Sequence, residues 1–424
     1  MTPRVVVNYG LGAASPRMIA AAASGTCDIV WHCDLADEHA RAMVPVLRRF
    51  GPVVASLAGS TLGKRAEAIS GYRPSGITTF ADSLVEETAE LAARMQLRYQ
   101  SAWSARAIAD KFSQRQALRA AGLQEMSVRA ATTRSALIAA VREIGTPTVV
   151  KPVHGQGSRH TFRIASPRDL EDLLSWLDGA DFSSGLIVEE ELTGSMGEWG
   201  QGIGDYVSVE CVTVAGKHQV AGVVGRLAVA PPFRERGGFY PATLGRQTTD
   251  AACALTVRGL EALDVTWGVS HTEVKLTPAG PQILEINGRL GGHVAWLLSR
   301  HGGPDLVRAA LCASLGRSAE LGPATVSGVA FRHVPPAPMQ VGIATDIEGF
   351  SEVRRLPGVE AVDVKVRPGM LVDWREGTGS CLAEISGWAS THGEMIRCTN
   401  RVEELLRVKL TPSGRSARRP PADL

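Results

Sequence analysis

The chain is short of every feature that marks a secreted, membrane-spanning or nucleic-acid-binding protein. Its seven cysteines (27, 33, 211, 253, 312, 381 and 398) are odd in number and scattered, with no CxxC spacing. That pattern argues against a disulfide framework or a thiolate metal site and suits reduced thiols. No uninterrupted apolar run reaches transmembrane length. Lys and Arg number 45 against 43 Asp and Glu, a net charge of +2, which gives no reason to expect nucleic acid or an anionic membrane as a partner. The opening MTPRVVVNYG runs directly into a strand-like stretch, without a signal peptide's apolar core or cleavage site. No solenoid-length repeat is visible. The expectation is a soluble cytoplasmic protein whose 424 residues suffice for two to four domains.

Residues 1–99 alternate strand candidates (Arg4–Asn8, Asp28–Trp31, Val53–Leu57, Gly76–Thr79) with helical patterns at 15–24, 37–49, 62–70 and 83–96. Such alternation predicts a parallel sheet with helical crossovers. The turn Gly10–Pro16 is only loosely like a dinucleotide loop. It reads as a tight strand-to-helix connection with Ser15 as cap and Pro16 in the first turn. Residues 105–121 read as one helix ended by Gly122, with Lys111 and Arg115 on an exposed flank. Between 125 and 195 lies a small α/β unit. Its strand Thr148–Pro152 ends in Lys151 and leads to the flexible loop His154–His160, whose amides and Ser158 hydroxyl suit phosphate oxygens. A second strand, Leu186–Glu189, runs into Glu190, Glu191 and Leu192.

Two long β runs span 206–229, with Glu210 unexpectedly in mid-strand. The irregular segment Pro231–Pro241 follows, of a kind that is usually functional or disordered. Thr249–Leu263 is an amphipathic helix. From about 320 to 410, short strands at GVAFRHV, VEAVDVKV, LVDWRE and CLAEISGWAS, with a helix near 347–355 or 400–408, suggest an α+β domain packed on the rest, with no catalytic grouping. Residues 413–424 read as a disordered tail.

The most informative stretch is Ser270–His293. It reads as two strands, 270–276 and 282–287, joined by a five-residue turn, Thr277–Pro281. Counting back from Leu276 facing Gln282 sets Glu273 opposite Glu285, with Asn287 on the same face. Val274, Leu276, Leu284 and Ile286 then form an apolar face. Facing carboxylates destabilise a sheet unless something neutralises them. A hard divalent cation with oxygen ligands does so, and Mg²⁺ fills its remaining positions with water and phosphate oxygens. A solvated acidic face or one protonated carboxyl is the plainer alternative.

Taken in order, VVKPVHGQGS, IVEEEL and TEVKLTPAGPQILEINGRLGGH, behind an α/β domain, resemble the ATP-grasp superfamily of carboxylate–amine ligases. The likeness covers about residues 1–315 and is strongest to L-amino-acid ligases, which make dipeptides. It implies an α/β and α+β multidomain ATP-grasp fold: an N-terminal parallel-sheet pre-grasp domain (1–99), an ATP-grasp domain (100–318, lid about 125–195, catalytic half about 196–318) and a C-terminal β-rich domain (319–412). It implies ATP and two Mg²⁺ ions, or Mn²⁺ in their place, with small-molecule carboxylate and amine substrates. A homodimer is left open.

By position, the resemblance gives Lys111 and Lys151 to the nucleotide phosphates and Ser158 to the β- and γ-phosphates. Glu189 and the backbone of Glu190 and Leu192 fall to adenine. Glu273, Glu285 and Asn287 fall to the metals, and Arg289 to the transferring phosphoryl group. Gly291, Gly292 and His293 lie where substrate is expected. The pattern departs from the family after Ser158, in the insertion Ser195–Gly204, and at the ribose contact, left to Glu210, Asp205 or neither. Arg226 stands in place of a lysine as a third phosphate cation. Arg234 and Arg236 are either anchors for a substrate carboxylate or solvent-facing. The alternative function is a carboxylase component or a nucleotide-precursor ligase, and the absence of an AMKM-type biotin motif counts against the first.

Overall fold

The computed structural model describes residues 2–180, 182–195, 202–322 and 325–412. The tail 413–424 and most of the 195–204 insertion lie outside the described residues.

The first four strands form a parallel sheet in the order Val53–Ser56, Asp28–Asp34, Arg4–Asn8, Gly76–Thr79. Helices connect them, as the alternation predicts. The next unit is a four-stranded antiparallel sheet: Val128–Ala131, Leu186–Glu190, Thr148–Pro152, Phe162–Ile164. Helices Arg134–Ile144 and Pro167–Trp176 pack on it. The second of these starts at a capping box, with Ser166 and Asp169 bonding each other's backbone and Pro167 in the first turn.

The central sheet has eight antiparallel strands, in the order Gly280–Asn287, Trp267–Thr277, Ile203–Val214, Lys217–Leu227, Gly237–Tyr240, Val329–His333, Ala383–Ala389, Val359–Val364. The expected C-terminal domain is therefore not merely packed on the rest. Three of its strands extend the central sheet, and only Leu371–Asp373, Val341–Glu348 and Arg407–Pro412 make a sheet of their own. Its main helix is His392–Leu405. Among the described residues no helix is long and apolar enough to cross a membrane.

The helix expected over 105–121 is two, Ala102–Ala109 and Lys111–Ala120. Asp110 breaks it with extended backbone (φ −97°, ψ 109°), and its side chain accepts from the Ser113 amide to cap the second helix. The break turns the second helix toward the central sheet. Gln114 then donates to the Ile286 carbonyl and accepts from the Ile286 amide, each at 2.8 Å, while Gln124 donates to the Ile283 carbonyl at 2.8 Å. Side-chain amides thus occupy an edge strand whose backbone groups need partners.

The 270–287 hairpin differs from the count made on sequence. Its strands close tightly, with Thr277 opposite Gly280, Leu276 opposite Pro281 and Val274 opposite Ile283. A bulge then shifts the register by one, so that Glu273 does face Glu285. Beyond it, Thr272 faces Ile286 and His271 faces Asn287. The bulge also corrects the apolar face. Ile283 joins Val274, Leu276 and Ile286 in the core, and Leu284 lines the cleft beside Glu285.

Candidate nucleotide and metal site

A cleft opens between the four-stranded lid and the central sheet. Lys111, Lys151, Ser158, Glu189, Glu190, Leu192, Glu273 and Glu285 all line it, so the structure brings together eight of the residues singled out on sequence. An adjoining cavity reaches from Glu285 and Asn287 to Asp82 and Glu86 of the N-terminal domain.

Lys111 is not a solvated flank residue. It is 8% exposed, donates to the Gly155 carbonyl at 2.6 Å and lies 2.9 Å from the Glu285 carboxylate. One ammonium thus ties the glycine loop to the hairpin. Arg115, also expected on the exposed flank, is 3% exposed; its Nε bonds Glu189 at 3.1 Å and its Nη2 bonds the Leu284 carbonyl.

Lys151 holds the other oxygen of Glu189 at 2.5 Å. Burial alone would raise the Glu189 pKa, but Arg115 and Lys151 outweigh it and bring it down to about 2. With both oxygens engaged, Glu189 orients Lys151 rather than offering a free acceptor to a base. The Glu190 amide is likewise occupied, by the Ser127 carbonyl at 3.0 Å.

Glu273 and Glu285 stand side by side on the cleft floor. Burial would raise Glu273, yet His271, Arg226 and Arg289 prevail and lower it to about 2. Asn287 donates weakly to the His271 carbonyl at 3.4 Å. Among the described residues no three His, Cys, Asp or Glu side chains gather as a complete metal site. Two carboxylates and an amide oxygen nevertheless fit Mg²⁺, which takes few protein ligands and completes its octahedron with phosphate and water. The crowded acid pair on a buried floor is what such an ion would neutralise.

Arg289 pairs with Asp82 and donates to the Leu290 carbonyl at 2.9 Å. The candidate phosphoryl-stabilising cation is therefore held by the N-terminal domain. Gly291 lies against His271, where an added Cβ would overlap the imidazole. Gly292 is open on that side, and His293 adopts left-handed backbone at φ 66°. Burial, with Arg332 next to it, lowers the His293 pKa to about 4.

Other residues turn away from the cleft. Glu210 is 1% exposed and accepts from His271 Nδ1 at 2.6 Å, so it is no ribose contact. Arg226 is buried, 3.3 Å from Glu235 and with Nη2 2.9 Å from His271 Nε2, and it does not line the cleft. In the 231–241 segment, neither reading of the arginines holds. Arg234 donates to the carbonyls of Pro231 (2.8 Å) and Ala337 (2.5 Å), and Arg236 pairs with Glu403. The members of that segment that reach the cleft are Phe233 and Glu235. Lys275, also on the wall, pairs with Asp205 at 2.7 Å.

Arg115, Asp82, His271, Glu235 and Lys275 were missed on sequence. His271 and Lys275 had a usable signal, since both share the alternating phase of Glu273.

No family model matches the chain. Several curated relatives align over substantial lengths. An uncharacterized protein, y4rH, of Sinorhizobium fredii is 27% identical over 327 residues, 73% of this chain and 62% of that protein. The alanine–anticapsin ligase of Bacillus subtilis is 26% identical over 229 residues, 51% of this chain and 48% of the ligase. The chain therefore spans about half to three-fifths of the length of these relatives. Among solved structures, the L-amino acid ligase of Bacillus licheniformis superposes with a TM-score of 0.72 at 18% identity, over 97% of this chain and 99% of that one. The chain has the ATP-grasp fold. In sequence it is similar to an alanine–anticapsin ligase and in fold to an L-amino acid ligase.

Proposed function

We propose that the chain is an ATP- and Mg²⁺-dependent carboxylate–amine ligase that joins amino-acid substrates through an acyl phosphate, releasing ADP and phosphate. The observation that carries this reading is the pairing of Glu273 with Glu285 in a cleft lined by Lys111 and Lys151, with the Arg289 charge acting on both carboxylates from its ion pair with Asp82. The presence of an alanine–anticapsin ligase and an L-amino acid ligase among the similar proteins supports the substrate class.

A carboxylate is a poor electrophile. Phosphorylating it needs positive charge around crowded anionic oxygens in a site closed to water. Lys111 and Lys151 meet phosphate oxygens from the two sides of the cleft. Glu273, Glu285 and Asn287 would hold Mg²⁺, which would supply neutralisation of the developing negative charge. Arg289 exchanges Asp82 for the transferring phosphoryl group. Leu192 supplies the backbone contact to the adenine ring, since the Glu190 amide is already used. The Ser158 hydroxyl exchanges the Phe233 carbonyl for a phosphate oxygen and with the loop amides covers the phosphates, and the adjoining cavity near Asp82, Glu86 and Asn287 receives the carboxylate and the amine.

Incubation with ATP, Mg²⁺ and pairs of amino acids tests this. Phosphate release that needs both partners, with a product mass equal to their sum less water, is the expected result. Phosphate release that needs bicarbonate instead would move the chain to the carboxylases, and none with any carboxylate would end the ligase reading.

A further inference from the structure

The loop over the proposed phosphate site is held mainly from outside its own sheet. Its backbone bonds include His160 N–H to the Arg375 carbonyl at 2.7 Å and Thr378 N–H to the Gly157 carbonyl at 2.8 Å. Its Arg159 pairs with Glu376 at 2.8 Å, and its Ser158 hydroxyl donates to the Phe233 carbonyl at 2.8 Å. Three of these four ties come from the single turn Trp374–Gly379, in the C-terminal region that looked functionally silent on sequence.

That turn is a rigid part. It leaves the strand Leu371–Asp373, and Asp373 braces it through a two-point pair with Arg375 at 2.9 and 2.8 Å. The Arg375 guanidinium lies 5.4 Å over the Trp176 ring of the lid helix, and Trp374 meets Phe162 of the lid edge-on at 5.9 Å. Gly377 sits at φ 61°, ψ −135°, a conformation that disfavours side chains, and its Cα faces the Gly157 carbonyl so closely that an added Cβ would overlap it. A turn built to approach that loop without a side chain serves the loop.

We infer that Trp374–Gly379 is a latch that positions the phosphate-covering loop 155–160, so that the C-terminal region sets MgATP affinity and keeps water from the acyl phosphate. The inference rests on the reading of that loop as the phosphate cover. Arg375, Glu376 and Gly377 are positioning residues, since none of them lines the cleft.

The test is hydrogen exchange of the peptide covering 154–161 in the full chain, with no substrate added, alongside MgATP kinetics. In Gly377→Ala that peptide should exchange about 10-fold faster, the order expected when one or two backbone bonds open, while the strand Thr148–Pro152 keeps its protection. KM for MgATP should rise with kcat at saturation little changed, and more phosphate should be released without amide. Glu376→Arg, which sets like charge against Arg159 at the solvent edge and spares the core, should shift exchange the same way, and adding Arg159→Glu should restore it. Unchanged exchange at 154–161 in both single variants would overturn the latch. Exchange is read without turnover, so a wild type that consumes no ATP would end the ligase reading and still leave the latch decided.

Discussion

Two glycine-bearing turns in this chain, 10–16 and 154–160, each follow a buried strand and do opposite things with their polar groups. In the first, the Ala13 amide bonds the Phe80 carbonyl at 2.9 Å, the Ser15 hydroxyl accepts from the Met18 amide, and Gly12 is pressed against Phe80 where a Cβ would overlap. These ties all lie within its own domain. In the second, Gly157, Ser158 and His160 all have positive φ, and outside elements hold the loop over a cleft where Lys111 and Lys151 stand among glutamates. Glycine content does not separate a phosphate cover from a strand-to-helix turn. Which elements hold each turn does.

If that contrast is right, changes around the second turn move turnover, and changes around the first move only stability. The largest effect is expected from Glu285→Ala, which removes a proposed metal ligand and the partner of Lys111; kcat should fall by at least about 10³-fold, read as phosphate release. Arg289→Ala should follow, with kcat down by about 10²–10³ and nucleotide binding by calorimetry retained. Full activity there would refute the role given to that cation.

Next comes pH. Glu189 is depressed from its usual 4.5 to about 2, so the stability it contributes is fully present above 4.5 and lost as pH falls toward 2. Urea midpoints measured from pH 7 to pH 3 should fall in the acid range, and Glu189→Gln should flatten that portion of the profile. The smallest effect belongs to the first turn. Ser15→Ala should cost about 1 kcal/mol of stability, seen in the same urea titration, with KM for MgATP unmoved. A raised KM there would erase the distinction between the two turns.

Most of the first sheet was legible, because each strand is a short apolar run closed by a turn and its helix follows at once. The acid pair was legible too, though by a path that needed repair. A five-residue turn without a bulge and a tighter turn with one both bring Glu273 to Glu285, and only the side of Leu284 tells them apart. The helix break at Asp110 was hidden by good helical periodicity on both sides. Arg115 and Arg289 were harder still. Their carboxylate partners, Glu189 and Asp82, lie 74 and 207 residues away. A long cation's destination depends on which acid the fold delivers, and local pattern carries no information about that. The same reason hid the Trp374–Gly379 turn, whose partners lie in the lid.

In the proposed reaction a substrate carboxylate is phosphorylated in the cleft between the hairpin and the lid. Its most direct test uses an accepted carboxylate substrate carrying ¹⁸O in both carboxylate oxygens, followed by mass analysis of the phosphate and the amide. The account predicts one labelled oxygen in each released phosphate and the other in the amide carbonyl. Unlabelled phosphate, or label appearing in AMP, would contradict it.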